Sequence, residues 1–223
     1  YLAGMDNLQE LLSIKNAQME AQNKEEANAY LINLKLSLDF VIKEIILHNN
    51  FEKEIQLFQL LRIVSPETNA IHPNRYRQTL VQIGAHICPE PKAVPQLVTE
   101  LFYRMKSIVN PIIRAIYFHH ELIRIHPFVD GNGRVTRIAK NWMLMYDLYP
   151  PIFINDAPQK KEYITTLGNS FKELLKYPEK WNDFTEQFFE QELDRLLINA
   201  SLLYENVSII GLNREKISSG EKS

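Results

Sequence analysis

The chain has 223 residues, of which 45% are hydrophobic, and a formal net charge of −2, so it is long enough to bury one sizeable core. Its 7 glycines and 11 prolines are few, which excludes a low-complexity segment and argues against a turn-rich all-β sandwich. Charges of both signs are interspersed along the chain, which argues against a nucleic-acid-binding surface.

Helical periodicity dominates the chain. In most segments the apolar residues recur every three or four positions, the spacing that places them on one face of a helix. The pattern predicts helices over residues 6–23, 24–47, 51–64, 95–106, 111–125 and 134–148, and over most of 159–208.

Three segments break this period. Residues 65–75 are polar and hold two prolines, which predicts a loop. Residues 76–95 mix β-branched side chains with Gly84 and three prolines, which predicts an extended segment or a short hairpin. Residues 149–155 predict a turn and a short extended piece. The predicted fold class is therefore all-α with one small extended element.

The single cysteine, Cys88, excludes an intramolecular disulfide and is typical of a reducing compartment. No run approaches the roughly 20 apolar residues that a membrane-spanning helix requires, and Tyr1 opens no signal-peptide pattern. We therefore expect a cytoplasmic protein that binds neither membrane nor nucleic acid. Because the chain does not begin with Met, it is expected to be a fragment, and what precedes Tyr1 stays open.

The most informative stretch is IHPFVDGNGRVTR, residues 125–137. Residues 130–133 lie between two predicted helices, and the start of a helix presents free N–H groups and a partial positive charge to an anion. The glycines allow the backbone to approach a ligand closely. Arg134 and Arg137 oppose the helix dipole by roughly 0.3–1 kcal/mol each, a conflict that a bound polyphosphate resolves. The pattern predicts a site for nucleotide phosphates.

Two further side chains complete the predicted chemistry. Asp130 is repelled by phosphates unless a cation lies between them, and Mg²⁺ is usually held by one or two carboxylates together with substrate phosphates. His126 has the ordinary pKa best suited to accept a proton near neutral pH. Phe128 is expected to pin the loop to the core. Each feature alone is typical of a turn, a packed histidine or surface charges. Together they specify about eight positions, so a chance match to the whole pattern has negligible probability.

Residues 126–137, HPFVDGNGRVTR, resemble the complete signature of the Fic family, H-P-F-x-[D/E]-G-N-G-R-x-x-R. The similarity extends over about residues 24–197: EEANAYLINLKLSL resembles an early core helix, residues 76–101 resemble the flap region, and YPPIFI resembles the segment after the motif helix. The resemblance implies a Fic-like helical bundle with a small β-hairpin flap beside the active site. Residues 1–60 would be N-terminal helices packed on the core, 61–197 the catalytic core, and 198–223 a C-terminal helix or tail.

The resemblance implies a protein adenylyltransferase, which transfers AMP from ATP to a Ser, Thr or Tyr hydroxyl of a target protein or of itself and releases pyrophosphate. His126 would be the general base and Asp130 would hold Mg²⁺ against the α- and β-phosphates. Arg137 would reach the γ-phosphate. The remaining nucleotide contacts implied are Phe128, Gly131, Asn132, Gly133, Arg134, Tyr163 and Asn169, of which Tyr163 would lie at the adenine. The target segment would pair in β-fashion with the flap, which includes Gln82, Ile83, Gly84 and Val94.

Many Fic proteins carry an inhibitory helix, [S/T]-x-x-x-E-[G/N], whose glutamate pairs with the second motif arginine. SLLYEN matches this pattern with Ser201, Glu205 and Asn206. The flap and the N-terminal helices are more similar to the group whose inhibitory helix lies before the core. An absent helix, or one that precedes Tyr1, therefore stays open, as does a degenerate match at residues 6–7.

Parts of the sequence resemble three alternative functions. HHELIRIH invites comparison with the zinc-protease helix H-E-x-x-H, but the position four residues after His120 is Arg124, which excludes that site. His119 and His120 are then expected to be one packed and one exposed histidine.

The second alternative keeps the fold and changes the reaction to transfer of another phosphate-linked group or to removal of AMP. The retained Gly133 favours AMP transfer, and AMP removal would depend on an inhibitory glutamate such as Glu205. The third is a non-catalytic module that binds nucleotide or protein, which the retained His126 and Asp130 disfavour.

Overall fold

The computed structural model describes residues 24–154, 156–178 and 180–219, with side chains described no further than Glu205. The predicted helix over residues 6–23 and the degenerate match at residues 6–7 lie outside the described residues. Within them the elements are α1 Lys24–Ile46, α2 Ile55–Val64, α3 Pro66–Ile71, β1 Gln82–Ile83, β2 His86–Ile87, a 3₁₀ turn Pro91–Ala93, α4 Val94–Ser107, α5 Pro111–Ile125, α6 Asn132–Tyr146, α7 Ala157–Lys176 and α8 Asp183–Ser219.

The prediction of an all-α fold with one small hairpin is confirmed. β1 and β2 are antiparallel, with Gln82 opposite Ile87 and Ile83 opposite His86. Helices α5 and α6 lie side by side at the centre; α4 covers α5, α1 and α2 cover α6, and α7 and α8 pack on each other. The signature sequence joins the two central helices, so the loop between them is held by the core on both sides.

An aromatic cluster fixes these central helices. Phe51 is fully buried, and the centroid of its ring lies 5.2 Å from that of Phe118 on α5 and 5.6 Å from those of Trp142 on α6 and Phe102 on α4. The Trp142 indole N–H donates to the Asn49 carbonyl at 3.0 Å. Burial of large aromatic rings in such mutual contact is among the strongest contributions to a core, so the helix that carries Arg134 and Arg137 is firmly anchored.

The prediction of a loop over residues 65–75 is wrong for Pro66–Ile71, which form α3. Proline is tolerated at the first position of a helix because the N–H that it lacks has no partner there. The Ser65 hydroxyl, just before this helix, bonds to Glu67 at 2.6 Å and to Thr68 at 2.9 Å. These local bonds stabilise a short turn of helix that hydrophobic periodicity does not reveal.

The helix predicted from residue 51 begins instead at Ile55. The Gln56 side chain accepts from the N–H groups of Glu52 and Lys53 and donates to the Asn50 carbonyl. These three bonds hold residues 51–54 in a non-helical turn, which allows Phe51 to enter the core.

The expectation of one packed and one exposed histidine at positions 119 and 120 is also wrong, because both are buried, at 1% and 2% exposure. The side chains of adjacent helical residues point about 100° apart, so both are covered only when a helix has neighbours on several sides. Helix α5 has such neighbours in α4, α6 and α8.

None of the helices in the described part of the chain has the length and apolar content needed to cross a membrane.

Candidate active site

The site begins where α5 ends. His126 adopts a left-handed conformation, with φ 52°, and its N–H still bonds to the Leu122 carbonyl at 2.9 Å. Residue 126 precedes a proline, which disfavours continuation of the helix. The chain therefore turns sharply at His126, and the imidazole lines a large pocket between the flap and α7.

The His126 imidazole is set up to accept a proton. Its Nδ1 lies 3.3 Å from the Ile123 carbonyl oxygen; because a carbonyl only accepts, this contact assigns the proton to Nδ1 and leaves a lone pair on Nε2. Burial lowers the pKa of His126 to about 4; the bond to Ile123 opposes that shift, and the charges of Arg77 and His86 add to it. The imidazole is therefore neutral at pH 7, the state that a general base requires.

The loop after His126 is braced by Asn132. Its side-chain oxygen accepts from the Phe128 N–H, and its side-chain nitrogen donates to the Phe128 carbonyl, each at 2.8 Å. Phe128 itself is buried, with its ring centroid 5.7 Å from that of Phe58 and 5.8 Å from that of Tyr76. Phe128 therefore attaches the loop to the core, as expected from the sequence.

Gly131 is required by both conformation and space. Its φ is +81°, a value that side chains rarely permit, and a Cβ at this position would lie 2.8 Å from Cβ of Ser65. The Gly131 carbonyl accepts the Val135 N–H at 2.9 Å, and no side chain caps the start of α6. The N–H groups of the first turn, before Val135, are therefore the donors available to an anion.

Arg134 and Arg137 have different surroundings. Arg134 is buried; it donates to the Val64 carbonyl at 2.8 Å and to Asp130 Oδ2 at 2.9 Å, and its guanidinium carbon lies 4.2 Å from the centroid of the Tyr30 ring. It thereby fastens the motif helix to the end of α2 and orients Asp130. Arg137 lies three residues further along α6, and its guanidinium is close to Gly133. A Cβ at Gly133 would come within 3.2 Å of Arg137 Nη1.

These groups line one pocket of about 680 Å³, the size of a nucleotide or drug-sized ligand site. Its walls come from the flap, from the end of α5, from the signature loop and α6, and from one face of α7. The lining residues are Tyr30, Ile83, Gly84, Ala85, Ile123, His126, Asp130, Gly131, Gly133, Arg134, Arg137, Ile154, Lys160, Tyr163, Ile164, Thr165, Leu167, Gly168, Asn169, Phe171 and Lys172.

A buried polar cluster lies behind the α7 wall. The Tyr163 hydroxyl lies 2.9 Å from Nε2 of His119, whose Nδ1 lies 3.5 Å from Oε2 of Glu192. Glu192 also accepts from Lys140 on α6 and from Arg195, the latter at 2.8 Å. The cluster joins α5, α6, α7 and α8, and it fixes the ring of Tyr163 in the pocket wall.

The structure brings together most of the predicted site but not all of it. Tyr163 and Asn169 line the pocket with the signature residues, and so do Ile83 and Gly84 of the flap. Four other predicted residues are not among the lining side chains: Phe128, Asn132, Gln82 and Val94. Asn132 and Phe128 instead support the loop, and Val94 is fully buried at the start of α4.

Two of the predicted inhibitory residues, Ser201 and Glu205, are not among the side chains that line the pocket. Ser201 and Glu205 are exposed on α8, and the Ser201 hydroxyl bonds to the Leu197 carbonyl in its own helix. Glu205 makes neither a hydrogen bond nor an ion pair with any side chain that the structure describes. The Asn206 side chain is outside the described residues, so this role stays a prediction.

Sequence reasoning missed two residues that support the site from outside the pocket. Glu192 lies four residues after Phe188 and four before Leu196, so a charged residue on an apolar helical face was the available signal. Arg77, which donates to the His126 carbonyl at 2.7 Å, lies in a polar loop and carried no such signal.

The buried histidines predict a loss of stability in mild acid. Burial lowers the pKa of His119 to about 3 and that of His126 to about 4, while both titrate near 6.5 when unfolded. Below pH 6.5 the unfolded chain therefore binds protons that the folded chain does not. The contribution of these two histidines to the free energy of unfolding is fully present above pH 6.5. It is lost as the pH falls towards 4, at about 1.4 kcal/mol per pKa unit for each histidine. We expect the free energy of unfolding to be about 2–4 kcal/mol lower at pH 5 than at pH 7. Urea titration at the two pH values measures this difference, and equal values would contradict it.

The Fic/DOC family model matches residues 53–144. Protein adenylyltransferase Fic of Culex quinquefasciatus is 27% identical over 162 residues, which cover 70% of this chain and 32% of the relative. The protein of the same name from Drosophila persimilis is 34% identical over 112 residues, 48% of this chain and 22% of the relative. The chain thus spans less than a third of the length of these curated relatives.

Among solved structures, Fic-1 from C. elegans has the same fold, with a TM-score of 0.65 at 20% identity over 87% of this chain and 55% of that one. The signature at residues 126–137, the fold around it and the match of the family model to residues 53–144 together make this chain similar to Fic/DOC proteins.

Proposed function

We propose that this chain is the catalytic part of a protein adenylyltransferase, which transfers AMP from ATP to a Ser, Thr or Tyr hydroxyl of a target protein or of itself. One observation carries the proposal: the imidazole of His126, whose pKa burial lowers to about 4, lines the same pocket as the uncapped start of α6. The curated relatives in insects are named protein adenylyltransferases, which agrees with an acceptor that is a protein.

The proposed reaction needs little covalent chemistry from the protein. Nε2 of His126 accepts the proton of the acceptor hydroxyl as the oxygen forms a bond to the α-phosphorus of ATP. The bond from that phosphorus to the bridging oxygen of the β-phosphate breaks, and pyrophosphate leaves with the bonding electrons. Arg137 and the first-turn N–H groups of α6 stabilise the charge that develops on the phosphates.

The residues fit a magnesium ion. Asp130 lines the pocket with 65% of its side chain exposed, and Arg134 donates to one of its carboxylate oxygens. Among the described residues no group of three or more His, Cys, Asp or Glu could hold a metal ion alone. This agrees with an ion held by one carboxylate and by the nucleotide phosphates, which would neutralise phosphate charge and orient ATP.

The flap fits the acceptor segment. Its strands are two residues long, and Ile83, Gly84 and Ala85 at the turn line the pocket. A short hairpin of this kind offers backbone groups that an extended segment can pair with. We propose that the target pairs here and presents its hydroxyl to His126.

The position of the label in ATP tests the proposed reaction. The chain is incubated with Mg²⁺, a cell lysate and ATP labelled with ³²P at either the α- or the γ-phosphate. Relative to the lysate alone, whose kinases already transfer the γ-phosphate, we expect the chain to add protein-bound label from α-labelled ATP only, with pyrophosphate released in equal amount. Label added by the chain from γ-labelled ATP would establish phosphate transfer instead, and label added from neither would contradict ATP as the donor.

The same assay tests the proposed role of Asp130. In Asp130→Asn we expect the Mg²⁺ concentration that gives half-maximal labelling to rise about tenfold or more. Mutation of a residue that only hydrogen-bonds to a metal ligand already lowers metal affinity by about that factor. Asp39→Asn, an exposed change on α1, is the matched control and should leave it unaltered. An unchanged Mg²⁺ requirement in Asp130→Asn would remove Asp130 from the metal site.

A further inference from the structure

Arg77 connects the flap to the end of α5. Its side chain is 1% exposed and donates to four backbone carbonyls: His126 at 2.7 Å, Thr79 at 2.8 Å, Pro89 at 2.6 Å and Ile125 at 3.3 Å. Its own N–H donates to the Pro127 carbonyl at 2.9 Å. Thr79 precedes the flap hairpin and Pro89 follows it, so one side chain joins both ends of the hairpin to the segment that carries His126.

The chemistry of these contacts is specific to arginine. The guanidinium directs its N–H groups in a fixed planar fork and stays charged. None of the ion pairs between described residues includes Arg77, and its side-chain hydrogen bonds go to carbonyl oxygens. Two of those oxygens belong to the end of α5, where the helix dipole is negative and favours a cation.

A second contact reinforces the same connection. His86 lies on β2 and is 5% exposed, and its Nε2 lies 3.1 Å from the carbonyl oxygen of Arg124, two residues before His126. The hairpin is therefore tied to the last turn of α5 from two sides. Because Arg77 bonds to the carbonyl of His126 itself, any shift of the flap is transmitted to the backbone that orients the imidazole.

We infer that Arg77 is a positioning residue that couples the flap to the base, so that an acceptor segment paired with the flap is held at a fixed distance from Nε2 of His126. The inference rests on the proposed function. Arg77 is not among the side chains that line the pocket. Its loss therefore affects the geometry of transfer and leaves ATP binding intact.

The test compares Arg77→Lys with Arg114→Lys. Lysine keeps the charge, but its three donors share one nitrogen, which cannot reach Thr79, Pro89 and His126 together. Arg114 likewise donates to backbone carbonyls, those of Ile108 and Val109, at the opposite end of α5. Transfer of AMP from α-labelled ATP to protein is measured over a range of ATP concentrations, together with release of free AMP to water.

We expect the maximum rate of transfer to protein to fall roughly 100-fold in Arg77→Lys, because misplacement by about 1 Å costs that much. The KM for ATP should stay within about twofold, and the ratio of protein-bound AMP to free AMP should fall, since water needs no flap to position it. Arg114→Lys should behave like the unmodified chain.

Three results would overturn the inference. Full activity in Arg77→Lys would show that a buried positive charge is all the site needs. Loss of ATP binding, or of a cooperative thermal transition, would make Arg77 a general support of the fold. An unchanged ratio of protein-bound to free AMP would remove the connection to the acceptor. If the unmodified chain transfers no AMP at all, the proposed function fails first, which is distinguishable from each of these.

Discussion

Replacement of His126 by alanine is expected to lower the maximum rate of AMP transfer roughly 10²- to 10⁴-fold, the usual contribution of a general base. The KM for ATP should change little, because the imidazole acts on the acceptor hydroxyl and the phosphates are held by α6. Initial rates with α-labelled ATP, measured at saturating and limiting nucleotide, give both quantities. His72→Ala, a change at the end of α3 away from the pocket, is the matched control.

The pH dependence of the unmodified chain checks the same assignment. The base must be neutral, and the pKa of His126 is lowered to about 4 by burial. The rate should therefore hold as the pH falls from 7 through 6.5, where an ordinary histidine would already be half protonated, and decline only nearer pH 4. A rate that falls by half near pH 6.5, or His126→Ala with full activity, would contradict the assignment.

The local part of the site was predictable because twelve consecutive residues supply its predicted chemistry. A histidine before a proline, glycines around an asparagine and two arginines at a helix start each meet a local requirement of turn, helix terminus or anion. The all-α class and the hairpin were predictable for the same reason, since helical periodicity and its interruption are properties of short windows.

The different contacts that the individual motif residues make were not predictable. The two arginines look equivalent at spacing three, yet Arg134 is tied to Val64 and Asp130 while Arg137 closes around Gly133. The acceptor of the first contact lies 70 residues away in the sequence. Asn132 was expected on the phosphates, and its side chain is instead bonded at both ends to Phe128. Which partner a polar side chain takes is decided by packing, which spacing does not encode.

Arg77 and α3 show two further limits. The contacts of Arg77 span 49 residues to His126 and 12 to Pro89, so no short window contains them. The helix at Pro66–Ile71 depends on a proline at its first position and on hydroxyl bonds from Ser65, while its polar residues and the nearby Pro73 resemble a loop. For Arg77 the decisive acceptors are backbone carbonyls, which are common to every residue type.

Replacement of Glu192 by alanine is expected to have the largest effect on stability. Glu192 is fully buried and is the carboxylate that Lys140 and Arg195 share, at 1% and 3% exposure. The nearby cations hold the pKa of Glu192 well below its usual range, so it is charged throughout the physiological range. Its removal leaves Lys140 without its counter-charge and leaves Arg195 with only the exposed Glu162, 3.6 Å away, which costs about 3–5 kcal/mol.

For a domain of this size such a loss lowers the melting temperature by roughly 10 °C. Glu190→Ala, exposed on the same helix two residues earlier, is the matched control and should stay within about 0.5 kcal/mol of the unmodified chain. Urea unfolding of the three proteins measures the differences.

The effect of Glu192→Ala should reach the nucleotide, because the cluster continues through His119 to the Tyr163 hydroxyl in the pocket wall. We expect weaker ATP binding at temperatures where the variant is still folded, and no such change in Glu190→Ala. Lys140→Met combined with Glu192→Met and Arg195→Met separates the charge effect from packing, since replacement of a whole buried ion cluster by apolar groups is often neutral. A triple variant as unstable as Glu192→Ala, or a single variant that loses less than about 1 kcal/mol, would show that the carboxylate is not what holds the four helices together.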